Sequence, residues 1–178
     1  MHRFTLIASV IYLFVAPALG QTLPKRDITP GVALTKVPAE SVKCLSDLMG
    51  ETLSADDPVT LTMICTRGYS KCIRNVPSDT KRAVYTAYGL SDSHAAYCNT
   101  EQGCEIDHLI SLELGGSNDQ KNLWPQPYQG EEFNAHVKDQ LENFYHAEVC
   151  RGRIKLKDAQ KDISENWISA YQKLLGSP

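Results

Sequence analysis

The hydrophobic pattern of the chain is most regular in its last third, where apolar residues recur every three or four positions. This spacing lines up one face of a helix, and it predicts helices from Glu131 to about Cys150 and from Lys157 to Leu175. The first stripe consists of Phe133, Val137, Leu141 and Phe144, and the second of Ile163, Trp167, Ala170 and Leu174. The two tryptophans, Trp124 and Trp167, are interpreted as packing residues rather than as platforms that stack nucleobases.

Upstream of these helices the pattern changes to alternation. The segment 105–110 begins with alternating polar and apolar side chains, and it is predicted to form a half-buried strand. Residues 122–124 predict a second short strand, which Pro125 and Pro127 end. Between the strands, residues 115–119 consist of Gly, Ser, Asn and Asp, which favour tight turns. The order strand, Gly-rich loop, strand, helix predicts an α+β fold.

The first half of the chain carries shorter signals. Residues 61–65 predict a short strand, and residues 80–88 predict an amphipathic helix that Gly89 terminates. Residues 21–40 are rich in Pro and Thr and lack periodicity, so they are predicted to form a flexible arm. The folded domain is then expected to cover residues 41–178.

Residues 1–20 have the three parts of a secretory signal peptide. A short basic start precedes an apolar run over residues 4–16, and the small residues Ala18-Leu19-Gly20 follow. The run is too short to span a bilayer comfortably, which disfavours a membrane anchor, and its position and flanks disfavour a buried core helix. The chain is therefore expected to be secreted, or periplasmic in a bacterium, with no membrane span in its mature form.

Removal of this signal leaves about 158 residues, the length of a single domain with its own core. Arg3 lies in the signal, so 17 of the 18 basic residues remain against 21 acidic ones, a net charge of −4. An acidic total argues against strong non-specific coating of DNA, but it allows a local basic groove. Two basic clusters are candidates for such a groove. The ordinary alternative is that both are solvated loops. They consist of Arg67, Lys71 and Arg74, and of Arg151, Arg153, Lys155 and Lys157.

All six cysteines follow the signal, and an even count predicts up to three disulfides in an oxidising compartment. Of the fifteen possible pairings, the sequence alone cannot choose one. Short loops favour Cys65–Cys72 and Cys98–Cys104, which would leave Cys44 with Cys150. A zinc–thiolate site is the alternative, although the chain lacks a Cys-x-x-Cys pair.

The candidate chemistry is concentrated between residues 107 and 136. Asp107 and His108 are adjacent on the first predicted strand, so their side chains should face opposite ways and take different roles. Asn122 follows on the return strand, and His136 on the next helix. A carboxylate and an imidazole that converge from strand and helix suit a small open site for a divalent cation. Each residue alone has an ordinary structural explanation, so the case for a functional site depends on their joint occurrence.

Three segments carry a family resemblance: DHLISLELGGSN at 107–118, KNLWP at 121–125 and NAHVKD at 134–139. In this order and spacing they resemble the core of the HNH endonucleases, also called ββα-metal nucleases. The likeness is strong over residues 105–140 and looser from Cys65 to Trp167. It implies a ββα-metal hairpin–helix core with flanking helices, here stapled by disulfides.

The resemblance also implies roles for individual residues. His108 would be the general base that takes a proton from the attacking water, a task that suits a neutral imidazole. Asp107 and His136 would bind one divalent metal ion, with Mg²⁺ expected first and Mn²⁺, Zn²⁺ or Ni²⁺ as alternatives. Asn122 would brace the loop and orient the base. The implied reaction is hydrolysis of a phosphodiester that leaves a 5′-phosphate.

The chain departs from the fuller HNH pattern because it lacks paired Cys-x-x-Cys zinc knuckles around the motif. This departure leaves the last metal ligand open, since Asn134 and Glu132 lie close enough to compete with His136. Arg74 is a candidate for binding phosphate through its guanidinium group, against the alternative of a solvated loop. Glu105 and Glu113 are interpreted as surface residues, and His146 as part of a solvated helix face.

The function expected from the sequence is that of a secreted, monomeric, metal-dependent endonuclease that acts on DNA, with RNA also open. Its expected partner is a nucleic acid substrate. The sequence does not show whether an inhibitor protein exists. The alternative is a disulfide-stapled binding protein or effector that keeps the scaffold without catalysis. A metal-dependent hydrolase of another phosphodiester is a third interpretation.

Overall fold

The computed structural model describes residues 23–90 and 103–178, so the predicted signal peptide lies outside the described residues. Within these ranges the chain forms an α+β arrangement of six α-helices and one two-stranded sheet. The helices are α1 (Val42–Met49), α2 (Leu61–Cys65), α3 (Tyr69–Ile73), α4 (Ser78–Ala87), α5 (Ala135–Cys150) and α6 (Leu156–Leu175), and the strands are β1 (Cys104–His108) and β2 (Leu123–Pro127). No helix among the described residues is long and apolar enough to cross a membrane.

The sheet is an antiparallel hairpin in which β1 pairs with β2, and Asp107 lies opposite Trp124. Both strands were predicted, but β2 continues through the two prolines that were expected to end it. Backbone hydrogen bonds join Leu109 to Asn122 and Gly103 to Tyr128 at the two ends of the ladder. Pairs that exchange hydrogen bonds alternate along an antiparallel ladder, so the prolines fall at positions where no N–H is needed.

Helices α5 and α6 pack with the sheet around the larger core. Trp124 and Trp167 are both fully buried in it, as predicted for packing aromatics. Helix α5 begins after Asn134, four residues later than the apolar pattern suggested, because the backbone of Asn134 is extended. Helix α6 matches its predicted span, with a local break in helical geometry at Asn166.

A second, smaller core joins the short helices α1, α2 and α3. The prediction of a strand over residues 61–65 is wrong, because this segment is α2. The side chain of Thr60 caps the helix by accepting a hydrogen bond from the Met63 N–H. Met63 and Ile64 are adjacent and both buried, which a strand with one solvent face does not allow.

The disulfides differ from the pairing favoured by short loops. Cys44 is bonded to Cys72, and Cys65 to Cys150 across 85 positions of sequence. The predicted pairs Cys65–Cys72 and Cys44–Cys150 are therefore wrong. Cys104 takes part in a disulfide, and its predicted partner Cys98 lies outside the described residues. Spacing favoured local loops, whereas the folded chain joins cysteines of helices that pack together.

Residues 29–34, within the segment expected to be a flexible arm, lie against the hairpin and the loop between its strands. The Gly31 N–H donates to the Lys121 carbonyl at 3.0 Å, and the Leu34 N–H donates to the Gly115 carbonyl at 2.8 Å. The buried Thr29 hydroxyl donates to the Leu123 carbonyl at 2.8 Å. This part of the chain belongs to the folded domain.

Candidate active site

A cleft of about 270 Å³ opens where the end of β1 faces helix α5 and the residue that follows α3. It brings together four of the residues selected from the sequence: Arg74, Asp107, His108 and His136. Asp107 and His108 both line it although they are neighbours on one strand. The strand ends at His108, so the strict alternation of faces ends there as well.

His108 is buried, with 4% of its surface exposed, and its ring is held by Asn118. The ring Nε2 lies 3.0 Å from Asn118 Oδ1, and Asn118 Nδ2 donates to the Ile73 carbonyl at 2.8 Å. Because the Ile73 carbonyl can only accept, the amide orientation is set, and His108 Nε2 must carry the hydrogen. The lone pair is then on Nδ1.

The environment of His108 also favours the neutral ring. Burial lowers its pKa below the ordinary value, and this effect outweighs the opposite influence of the Asp107 carboxylate and of the Asn118 hydrogen bond. A neutral imidazole with its lone pair on Nδ1 is chemically able to accept a proton near pH 7.

Asn118 was read in the sequence only as part of the loop motif, and its contact with His108 was missed. The sequence signal was an amide at the end of a Gly-rich loop ten positions after the histidine. That spacing alone does not distinguish a turn residue from a side chain that holds the ring.

Asn122 lies outside the cleft lining and is fully buried beneath the loop that follows β1. Its Oδ1 accepts from the Ile110 N–H at 2.9 Å and from the Val32 N–H at 3.2 Å. Its Nδ2 donates to the Ile110 carbonyl at 3.0 Å and to the Ser117 carbonyl at 2.8 Å. All four hydrogen-bonding positions of the amide are used, so this side chain joins two ends of the loop.

Asp107 is one-fifth exposed in the cleft and is paired with a buried lysine that the sequence analysis did not single out. Lys138 Nζ donates to Asp107 Oδ2 and to the His108 carbonyl oxygen, each at 2.7 Å, and it also contacts Glu142. Burial alone would lower the pKa of Lys138, but the two carboxylates raise it above its ordinary value. The charged ammonium group therefore ties the end of β1 to α5.

His136 is exposed at the start of α5 and packs edge-to-face on Tyr128, with ring centroids 4.6 Å apart. Both rings line the cleft. Asn134, the other candidate on this helix, does not line it. Its Oδ1 accepts from the Val137 N–H at 3.2 Å and its Nδ2 donates to the Glu131 carbonyl at 2.8 Å, as the cap of α5.

Glu105 lines the cleft and is half-buried, which differs from the surface position expected for it. Burial, followed by the nearby carboxylates of Asp107 and Asp139, raises its pKa to about 7. Arg74 is exposed at the rim, directly after α3. The cleft thus combines an acidic interior with one guanidinium group that faces solvent.

Asp107 and His136 supply the oxygen and nitrogen donors that divalent cations accept in proteins. Within the described ranges, however, only Cys65, His146 and Cys150 bring three candidate ligand atoms within 4.8 Å of one another, and they lie outside the cleft. Asp107 and His136 both line the cleft, but among the described residues they are not part of such a group of three.

No family model matches the chain, and neither the curated proteins nor the solved structures contain a match to it.

Proposed function

We propose that this chain is a secreted, metal-dependent endonuclease of the HNH type that hydrolyses phosphodiester bonds of DNA. The observation that carries the proposal is the cleft shared by Arg74, Asp107, His108 and His136. These residues were selected from the sequence for separate roles in one reaction, and they come from three different parts of the chain. The disulfides fit an extracellular, oxidising environment.

In this mechanism His108 is the general base. Its Nδ1 takes a proton from the water that attacks the phosphorus, while Asn118 keeps the hydrogen on Nε2 and holds the ring. Burial favours the neutral ring, so the base is ready at physiological pH. Asn122 acts indirectly, because its four hydrogen bonds fix the loop that carries Asn118.

The remaining residues bind the substrate phosphate and a cation. Arg74, exposed at the rim, would hold a non-bridging phosphate oxygen through charge-assisted hydrogen bonds. A divalent ion held by Asp107 and His136 would stabilise charge on the scissile phosphate and on the leaving 3′-oxygen. Lys138 would hold the Asp107 carboxylate in place, because its Nζ donates a hydrogen bond to Asp107 Oδ2.

The proposal is tested with supercoiled plasmid and purified mature protein, with Mg²⁺ and with excess EDTA. We expect nicking with Mg²⁺ and none with EDTA, and 5′-phosphate ends in the products. The variant His108→Ala should lose turnover by at least about a hundredfold while it keeps metal affinity, because loss of a general base has this scale of effect. His146→Ala, outside the cleft, is the matched control and should remain active.

Intact plasmid with Mg²⁺, Mn²⁺, Zn²⁺ and Ni²⁺ would overturn the proposal. If the protein still bound DNA, the interpretation as a non-catalytic binding protein would take its place. Hydrolysis of small chromogenic diesters without plasmid cleavage would instead indicate another phosphodiester as substrate.

A further inference from the structure

A second group of metal-binding residue types lies away from the cleft, where α2 meets α5. One ligand atom each of Cys65, His146 and Cys150 lies within 4.8 Å of the other two. His146 and Cys150 are four positions apart on α5 and so share one helix face, while Cys65 is the last residue of α2. The two sulfurs are joined as a disulfide in the structure.

The ring of His146 is held by a backbone carbonyl. Its Nε2 lies 3.2 Å from the carbonyl oxygen of Ile64, the residue before Cys65. A carbonyl oxygen only accepts hydrogen bonds, so Nε2 carries the hydrogen and Nδ1 carries the lone pair. Metal-binding histidines are usually held in this manner by a carbonyl or carboxylate behind the ring. His146 was predicted to lie on a solvated helix face, and in the structure it has a specific partner.

The surroundings leave room for a fourth ligand. Cys65 and His146 line a groove of about 330 Å³ together with Glu113 and Arg67. Two thiolates and one imidazole form a ligand set that suits zinc, with a water molecule or a carboxylate in the remaining tetrahedral position. Cysteine and histidine, rather than carboxylates alone, favour zinc over Mg²⁺ or Ca²⁺.

We propose that Cys65, His146 and Cys150 are a redox-gated zinc site, closed as a disulfide and open to metal when reduced. A dithiol reductant supplies two electrons that break the Sγ–Sγ bond, and it becomes a disulfide itself. Each cysteine sulfur takes one of its two protons. Binding of Zn²⁺ releases both thiol protons to solvent, and His146 binds through the lone pair of Nδ1. Zinc and oxidation then compete for the same two sulfurs.

The other disulfide of known pairing provides an internal comparison. Cys44–Cys72 also joins two helices, but within the described part of the chain no histidine or carboxylate completes a group of three with it. Reduction of this pair is expected to leave two thiols without a third ligand. The proposal therefore predicts that the two pairs differ in metal affinity although both are disulfides in the same fold.

The test uses the mature chain reduced anaerobically with a metal-free phosphine and titrated with Co²⁺, which reports sulfur ligands through a charge-transfer absorption. Zn²⁺ affinity is measured by competition with a chromogenic indicator. We expect one equivalent of Co²⁺ to produce the sulfur band, and Zn²⁺ to displace it. The double variant Cys65→Ser/Cys150→Ser should lose the band, while Cys44→Ser/Cys72→Ser should keep it.

His146→Ala is the decisive variant, because it removes one ligand and leaves every thiol in place. Its Zn²⁺ affinity should fall by at least about tenfold relative to the reduced parent chain. Equal affinity, or a sulfur band that persists in Cys65→Ser/Cys150→Ser, would overturn the proposal.

If reduction unfolds the chain, Zn²⁺ should restore the helical circular dichroism of the parent but not that of His146→Ala. A failure to restore it in the parent would equally overturn the proposal. Nuclease activity is not a readout of this experiment, so its outcome is independent of the proposed function.

Discussion

At the scale of single residues, the candidate site depends on two side chains whose importance is set by contacts rather than by type. Asn118 holds the His108 ring at 3.0 Å, and Lys138 joins Asp107 to the His108 carbonyl. The sequence motif contained both residues, yet an asparagine in a loop and a lysine on a helix are ordinary surface choices. Only the packed chain shows that Lys138 is 1% exposed and that the Asn118 amide faces the histidine.

Asn118→Asp is expected to shift the pH dependence of cleavage. A carboxylate beside the ring stabilises the imidazolium form and raises the pKa of His108, which burial keeps low in the parent chain. The base is then protonated up to a higher pH. The acid limb of the kcat/KM profile should therefore shift to higher pH by about one pH unit or more. The measurement is a pH profile of plasmid nicking at saturating metal.

Asn118→Ala is the control for loss of the contact without an added charge. It should lower kcat through poorer orientation of the ring, but it should not raise the acid limb as the aspartate does. An acid limb that is unchanged in Asn118→Asp would contradict the role of His108 as the base.

Lys138→Met is expected to destabilise the fold by about 3–5 kcal/mol, because removal of one partner leaves buried charges uncompensated. The lysine contacts Asp107, Glu142 and a backbone carbonyl, and its side chain is 1% exposed. Urea unfolding measures the change. Lys161→Met removes a lysine whose side chain is 66% exposed and should cost less than about 0.5 kcal/mol. Similar losses of unfolding free energy in the two variants would show that the buried ion pairs of Lys138 stabilise the fold no more than an exposed pair does.

At the scale of elements, the regular patterns predicted the hairpin and the two long helices, because each of these has one apolar face over many residues. The short helices α1, α2 and α3 followed no such rule. Helices α2 and α3 contain five residues each, too few for an apolar stripe to repeat, and the burial of all three helices depends on one another and on Leu112. The pairing of Cys65 with Cys150 was equally out of reach, because it depends on which helices pack together.

The start of α5 offers a test of whether Asn134 is a cap or a metal ligand. Both polar atoms of its side chain are hydrogen-bonded to backbone, one to Val137 in the first turn and one to Glu131 before the helix, so we expect a capping role. Asn134→Ala should lower the free energy of unfolding by about 1 kcal/mol, while Asn134→Ser, which also caps, should lose much less. Thermal or urea unfolding measures both. A fall in metal affinity for Asn134→Ser with normal stability would instead support the ligand role.

At the scale of the whole molecule, the charge of the chain limits how it can meet nucleic acid. The net charge is −3, and part of the second basic cluster is neutralised within the protein. Arg151 and Arg153 both pair with Glu148, at 3.0 and 2.7 Å. Four carboxyl side chains line the cleft, and the ammonium group of Lys138, which does not line it, is surrounded by its acceptors. Arg74 at the rim is left as the cation best placed to contact a phosphate.

The affinity for DNA should therefore depend only weakly on salt. Each neutralised phosphate contributes about −0.9 to the slope of log K against log salt, so one contact through Arg74 predicts a slope near −1. Titration of His108→Ala with a labelled duplex measures it without turnover. Arg74→Ala should reduce the slope by about one, since one phosphate contact is lost, whereas Lys43→Ala on the exposed face of α1 should leave it unchanged. A slope of about −6 or steeper would mean that a broad basic surface, rather than one guanidinium beside an acidic cleft, holds the nucleic acid.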